Sequence, residues 1–337
     1  MSAAVRPGNE ERPPAVARAG SDTRRLAGLA RTPEVFLLLA ILIAVVLFWL
    51  INPLFANTAT ANSVLRTIAF TGVVLIGQAI LLIVGEFDLS VGSVAGMAGI
   101  IAGVLMAKAG LPVEVAIVLG VLAGTAAGLA NGVLITKAGI PAFVVTLSML
   151  FVAKGIGYVL SGGDPVYPLP AGFTGLAKTE ILSLASAVWI ALLLVLVFDQ
   201  AMRRSTWGRI VYATGGSVRT SRLAGINTDR VKITAFALTG TLAAFGGILL
   251  TSRLGRADPS NGLGWELIVI AAAVIGGCRL NGGAGTIVGA FLGLVFLQTV
   301  QTGLVFAGVN AQLQPVVSGL LLIAGASVDT LRRRRFG

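Results

Sequence analysis

Two carboxylates interrupt an apolar run in Gly85-Glu86-Phe87-Asp88-Leu89-Ser90. Acids flanked by such runs are costly and mark ion or solute pathways by default. A plainer reading competes: Asp88 or Ser90 stands where a cap is needed for the helix starting at Val91, and for Asp88 capping is the simpler account. Glu86, and Glu266 beside Trp265, read as interfacial acids. A second set consists of amides and hydroxyls inside apolar runs: Gln78, Asn131, Ser148, Gln298 and Gln301. Each needs a partner on a neighbouring helix or in a wet cavity. Gln298 and Gln301 fall three apart on one helical face. The candidate path through the protein is therefore Gln78, Asp88, Ser90, Asn131, Gln298 and Gln301, with interhelical glue as the alternative for each.

Catalysis within the chain has little support. There is no histidine, which removes the commonest general base and metal ligand, and the single cysteine, Cys278, excludes an intrachain disulfide and a cysteine-rich metal site. The nearest approach to a phosphate-binding loop, Leu176-Ala177-Lys178-Thr179, lacks the glycine before the lysine. No catalytic residue, metal or cofactor is expected.

The elements that must position these side chains are membrane spans. Of 337 residues, 56% are hydrophobic and 12% charged, with a mean hydropathy of +0.93. Globular domains carry about 25% charged residues, so the fold class is an all-α polytopic membrane protein. Apolar runs place spans near 34–51, 63–84, 91–107, 113–136, 139–160, 181–198, 231–252, 265–277, 284–306 and 313–328. Ten crossings put both termini in the cytoplasm; eight, with the short third and eighth segments re-entrant, is the alternative. Residues 1–33 read as a flexible basic cytoplasmic tail with no cleaved signal peptide, 34–331 as one membrane domain, and 332–337 as a second basic tail. The third span carries Gly92, Gly96, Gly99 and Gly103 on one face, suited to close packing.

The net charge of +11 is explained by topology rather than nucleic acid, because basic residues flank apolar runs instead of forming a patch with aromatics. Ten crossings place 19 of the 25 basic residues on the cytoplasmic side: both tails, Lys137, Arg279 and the loop Asp199–Ile233. Only Arg66, Lys108, Lys154, Lys178, Arg253 and Arg256 fall outside. Ser161–Glu180 and Arg253–Gly264 are expected as outward polar connections.

The basic loop is patterned. Ser217 can cap a short helix, Arg219 and Arg222 fall on one face of it, and Gly225 supplies a left-handed stop. Asn227 or Thr228 can cap the next helix, with Asp229 in its first turn. Two readings remain open, a docking knob for a cytosolic partner and a solvated loop on anionic lipid headgroups. Gly85–Gly92 and Gly277–Gly283 also echo one another, each interrupting an apolar run before a helix. Paired interruptions point to a central site in transporters.

Together, Gly85–Ser93 (GEFDLSVGS), Asn131-Gly132 before Gly139-Ile140-Pro141-Ala142-Phe143, Thr146-Leu147, Gly208-Arg209, Arg222-Leu223-Ala224-Gly225-Ile226, Trp265-Glu266-Leu267 and Ile275-Gly276-Gly277 resemble the membrane permease subunit of ribose/xylose-type ABC sugar importers. The resemblance runs from about Pro33 to the C-terminus, and it departs where Glu86 replaces the family's usual glycine or small residue. It implies a homodimeric pore in membrane lipid, cytosolic ABC ATPase subunits, and an extracytoplasmic sugar-binding protein. It makes Arg219, Arg222, Leu223, Ala224, Gly225 and Ile226 the ATPase-coupling loop. Branched-chain amino-acid permeases share the fold, and an amino-acid or nucleoside cargo is an alternative. A self-contained secondary transporter would need a coupling acid in mid-span, and the acids here lie at turns or ends. A membrane enzyme is disfavoured by the missing histidines.

Overall fold

The computed structural model describes residues 33–313 together with 316–317, 319–320 and 323. The expected basic tails and most of the expected tenth span lie outside the described residues.

The centre of the bundle is α2 (Thr58–Val84), whose entry Asn57 caps by accepting a hydrogen bond from the Thr60 N–H at 2.7 Å. From Ile68 to Val84 every residue of α2 is buried. A helix apolar on all sides belongs in a core, and its neighbours cover it instead of lipid. The long α10 (Thr228–Leu254) lies against it, and against α3 (Val91–Ala107) and α4 (Val113–Lys137). Gly120, Gly124, Gly128 and Gly132 of α4 recur every fourth residue toward α10. A Cβ added at Gly128 would stand 2.2 Å from the Phe236 carbonyl oxygen, so these helices cross with backbones touching. The outer elements are α1 (Pro33–Ile51), α5 (Ala142–Ser161), α7 (Ser186–Arg204) and α12 (Ile287–Phe306).

Among the described residues, seven helices are long and apolar enough to cross a membrane: α1, α2, α4, α5, α7, α10 and α12. The third and eighth expected spans are short helices, α3 with 17 residues and α11 (Trp265–Ile275) with 11. Each follows an irregular segment packed into the bundle. Gly85 ends α2 with φ 91°, a conformation glycine adopts without steric cost, and turns the chain back along α2. On the other side, the carbonyls of Asn261 and Gly262 lie against Gly96 and Gly92 of α3. An irregular segment therefore precedes each of these two short helices.

Two expectations change. The connection expected as polar over Ser161–Glu180 contains α6 (Ala171–Lys178), and the next span starts at Ser186 rather than Ile181. Residues 180–185 instead form a hairpin of β1 (Glu180–Ile181) and β2 (Leu184–Ala185). Its turn residues Leu182 and Ser183 take positive φ, as tight hairpin turns require, and Trp189 Nε1 donates to the Ile181 carbonyl to hold it. The apolar residues Ile181, Leu182 and Leu184 made this segment look like a helix start.

Candidate functional site

Four of the six path candidates meet in one buried cluster. One carboxylate oxygen of Asp88 accepts from the Ser90 N–H and the Ser90 hydroxyl, each at 2.6 Å. The other accepts from Asn131 Nδ2 on α4 at 3.2 Å, and the same amide donates to Ser90 Oγ at 3.1 Å. With its amide assigned to suit its neighbours, Gln78 of α2 donates to the Asp88 carbonyl and accepts from the Asp88 N–H. Asp88 is 2% exposed, and Gln78, Ser90 and Asn131 are fully buried. The cluster ties the extended segment to α2 and α4.

This arrangement corrects the capping expectation. Ser90 takes helical φ/ψ and makes no side-chain bond into α3. Asp88 closes a local turn onto Ser90, because a buried carboxylate gains more from three convergent donors than from one helix amide. Asn131 Oδ1 remains without a hydrogen-bond partner.

Gln298 and Gln301 lie elsewhere, in the half of α12 remote from its start. Gln301 is buried and Gln298 half-buried. Near them the Asn52 side-chain amide donates to the Phe306 carbonyl at 3.0 Å, and Gly303 packs on Phe48 of α1. Ser148 donates within α5 to the Val144 carbonyl at 2.8 Å.

At one end of the bundle the basic stretch is mostly helical. Asp199–Arg204 completes α7, then come α8 (Thr206–Gly216) and α9 (Val218–Leu223). Ser205 Oγ accepts from the Gly208 N–H, Ser217 Oγ from the Thr220 N–H, and Asn227 Oδ1 from the Arg230 N–H, so each helix start has its own cap. Gly225 has φ 81° and stops α9 as the sequence indicates. Arg219, Ala224 and Gly225 are exposed, Ile226 is half-buried, and Leu223 is 84% exposed at the tip.

Arg222 stands one turn after Arg219 on α9, and its guanidinium turns toward the start of α10. Its Nε donates to Thr228 Oγ1 at 2.9 Å and its Nη2 to Asp229 Oδ1 at 3.1 Å. Lys137 at the end of α4 bonds the other Asp229 oxygen at 3.1 Å. Asp229 thereby draws the knob toward α10 and α4.

Three further features were missing from the sequence reading. Lys232, in the first turns of α10, forms an ion pair with Glu86, both side chains largely buried. Asp199 is buried, pairs with Arg203 at 2.7 Å, and accepts from the Val288 N–H at the start of α12. The two echoing interruptions also touch: a Cβ added at Gly282 would stand 2.9 Å from the Gly85 Cα, and beside them the Gly283 N–H donates to the Ile83 carbonyl of α2 at 2.9 Å. Gly215 of α8 packs on that same carbonyl, where an added Cβ would stand 1.8 Å away. The end of the central helix thus bears directly on the basic stretch. The signals available were Glu86 in place of a small residue and the glycines themselves.

At the opposite end, Val166 and Ala257 pair through their backbones, and Arg66 meets Glu180 at 2.7 Å. Hydrogen bonds from Ser260 hold the Asp258 carboxyl below the usual carboxylate range. Among the described residues no group of three or more acids and cysteines converges as a metal site.

The comparisons with known proteins agree with this architecture. The family described as "Branched-chain amino acid transport system / permease component" matches residues 60–326. The L-arabinose ABC transporter permease protein AraH of Azospirillum brasilense is 32% identical over 283 residues, 84% of this chain and 83% of its own length. The autoinducer 2 import system permease protein LsrC of Salmonella choleraesuis is 34% identical over 290 residues, covering 86% of this chain and 83% of its own. Its counterpart from Escherichia coli K12 is 33% identical over 291 residues, with 86% and 85% covered. A match of this extent shows that the chain belongs to the permease-component family of branched-chain amino acid transport systems, whose members here include ABC importer permeases.

Proposed function

We propose that this chain is the permease subunit of an ATP-driven importer for a monosaccharide, multi-pass in the bacterial cytoplasmic membrane. The observation that carries the reading is the alignment with AraH and LsrC along more than four-fifths of the chain. On this reading two copies form the pore, cytosolic ATPase subunits dock on the α8–α9 end, and an extracytoplasmic binding protein delivers the sugar. Both termini and the α8–α9 end are cytoplasmic. The family's description favours a second cargo, a branched-chain amino acid.

Leu223, Ala224 and Arg219 supply an apolar tip with a cation beside it, a form suited to a cleft on a partner. ATPase closure pushes on this tip. Gly215 against the Ile83 carbonyl and Lys232 against Glu86 pass the displacement to α2 and the segment before α3. The two conformations differ in free energy only through contacts that differ between them, so the largely buried ion pair is where such a difference arises. The Asp88 cluster holds the extended segment that moves, and Gln298 and Gln301 face the path on α12.

The test is pull-down of the ATPase subunit by permease carrying Arg219→Glu with Leu223→Asp, at equal permease abundance. Loss of the ATPase with retained membrane insertion is expected. Undiminished pull-down returns the stretch to a basic anchor on lipid headgroups.

A further inference from the structure

A cavity of about 390 Å³ opens at the end of the bundle opposite the basic stretch, bounded by the first half of α2, the last turns of α10 and Trp265. Its size lies within the range of about 300–1,000 Å³ typical of small-molecule sites. We propose that it binds a monosaccharide within the permease itself, a loading site occupied before translocation; this rests on the sugar-importer reading above.

The chemistry of the lining selects the ligand class. Ser63, Arg66, Thr67 and Thr71 form a stripe on α2, with Arg253 and Trp265 opposite. Thr67 donates its hydroxyl hydrogen to the Ser63 carbonyl and Thr71 donates to the Thr67 carbonyl, each at 3.1 Å. Their hydrogens are committed to the helix, so these hydroxyls offer acceptor lone pairs to the cavity. The arginines offer the opposite. Arg66 is fixed through Nη2 to Glu180, and Arg253 presents its half-buried guanidinium to the cavity.

A cavity that presents acceptors and an open donor suits groups that donate and accept together, which sugar hydroxyls do. A simple anion would use the two guanidinium groups but place its oxygens against the threonine lone pairs. The indole of Trp265 gives an apolar face for the C–H side of a sugar ring, as aromatic side chains commonly do in ligand sites. Two positions of the lining, Arg253 and Trp265, border the irregular segment ahead of α11, so an occupied cavity touches the ends of that segment directly.

The test uses the full-length permease in detergent with Trp49, Trp189 and Trp207 each replaced by Phe, which leaves Trp265 as sole reporter. L-arabinose, D-ribose, D-xylose and D-glucose are titrated separately against its fluorescence, and inorganic phosphate in a further arm. The expectation is a saturable change with at least one sugar and none with phosphate. Thr67→Val and Arg253→Lys, which keeps the charge but removes the planar donor fork, each weaken it about tenfold, the effect of losing one hydrogen bond. Folding of each variant is verified by continued protection of the buried Cys278 thiol. Response to phosphate alone, silence toward every sugar, or full binding by both variants overturns the proposal. ATP-dependent uptake measured on the ATPase-loaded complex separates the two claims. Uptake with a silent Trp265 removes only the cavity, whereas absent uptake removes the importer reading.

Discussion

Exchanging the Asn131 amide for a carboxylate, Asn131→Asp, changes the charge of the Asp88 cluster while preserving shape. The amide nitrogen stands 3.2 Å from the Asp88 carboxyl, and an oxygen in its place brings two carboxyl groups to that separation. At an effective dielectric of about 20 two full charges there would repel by about 5 kcal/mol, an upper bound that the pair lowers by keeping one proton between its oxygens. With an unfolding entropy of about 2.1 cal/mol/K per residue over 337 residues, the unfolding midpoint falls by at most about 7 °C. The chain carries its own reporter: Cys278 is its single cysteine and is 3% exposed, so a fluorogenic maleimide reacts as the bundle opens. The double variant Asp88→Asn with Asn131→Asp swaps amide and acid across the same hydrogen bond, and it recovers most of the lost midpoint. An unchanged midpoint in the single variant, or no recovery in the double, refutes the placement of the Asp88 carboxyl against Asn131.

Three other outcomes follow from the same geometry. Glu86→Gln leaves Lys232 largely buried without its partner and lowers uptake with little effect on ATPase docking, and the exchange Glu86→Lys with Lys232→Glu restores part of it; equal uptake across the set counts against coupling through this pair. Gly215→Val places side-chain atoms into the Ile83 carbonyl and reduces folded permease severalfold on a sizing column, whereas Gly216→Val meets open space and does not. With Cys278→Ser as background, single cysteines at Ser217 and Thr174 are labelled from opposite membrane faces; labelling from one face contradicts the topology.

Much of the fold is legible in residue order because membrane spans advertise themselves. The third span was placed at Val91–Ala107, where α3 stands, and the fourth at 113–136 against Val113–Lys137. Short-range signals were equally informative: Ser217, Gly225 and Asn227 act at the helix ends where their side chains and φ preferences put them. The hairpin at 180–185 was misread because Ile181, Leu182 and Leu184 are as apolar in a turn as in a span. Pairings between distant segments were beyond reach. Asp88 with Asn131, Glu86 with Lys232 and Gly215 with Ile83 depend on how helices pack, and one sequence carries no trace of which polar group meets which. Arg222 shows the same limit: its helical position was right, but Asp229 and Thr228 decided where its guanidinium turned.

The most direct test is uptake of radiolabelled sugar by proteoliposomes containing this permease, its ATPase subunits and its binding protein, with L-arabinose, D-ribose and D-xylose supplied in turn. Accumulation of one of them that requires ATP, and that disappears when Arg219→Glu with Leu223→Asp replaces the native tip, is the predicted result. Accumulation that proceeds without ATP or ATPase subunits, driven by an ion gradient, contradicts the account.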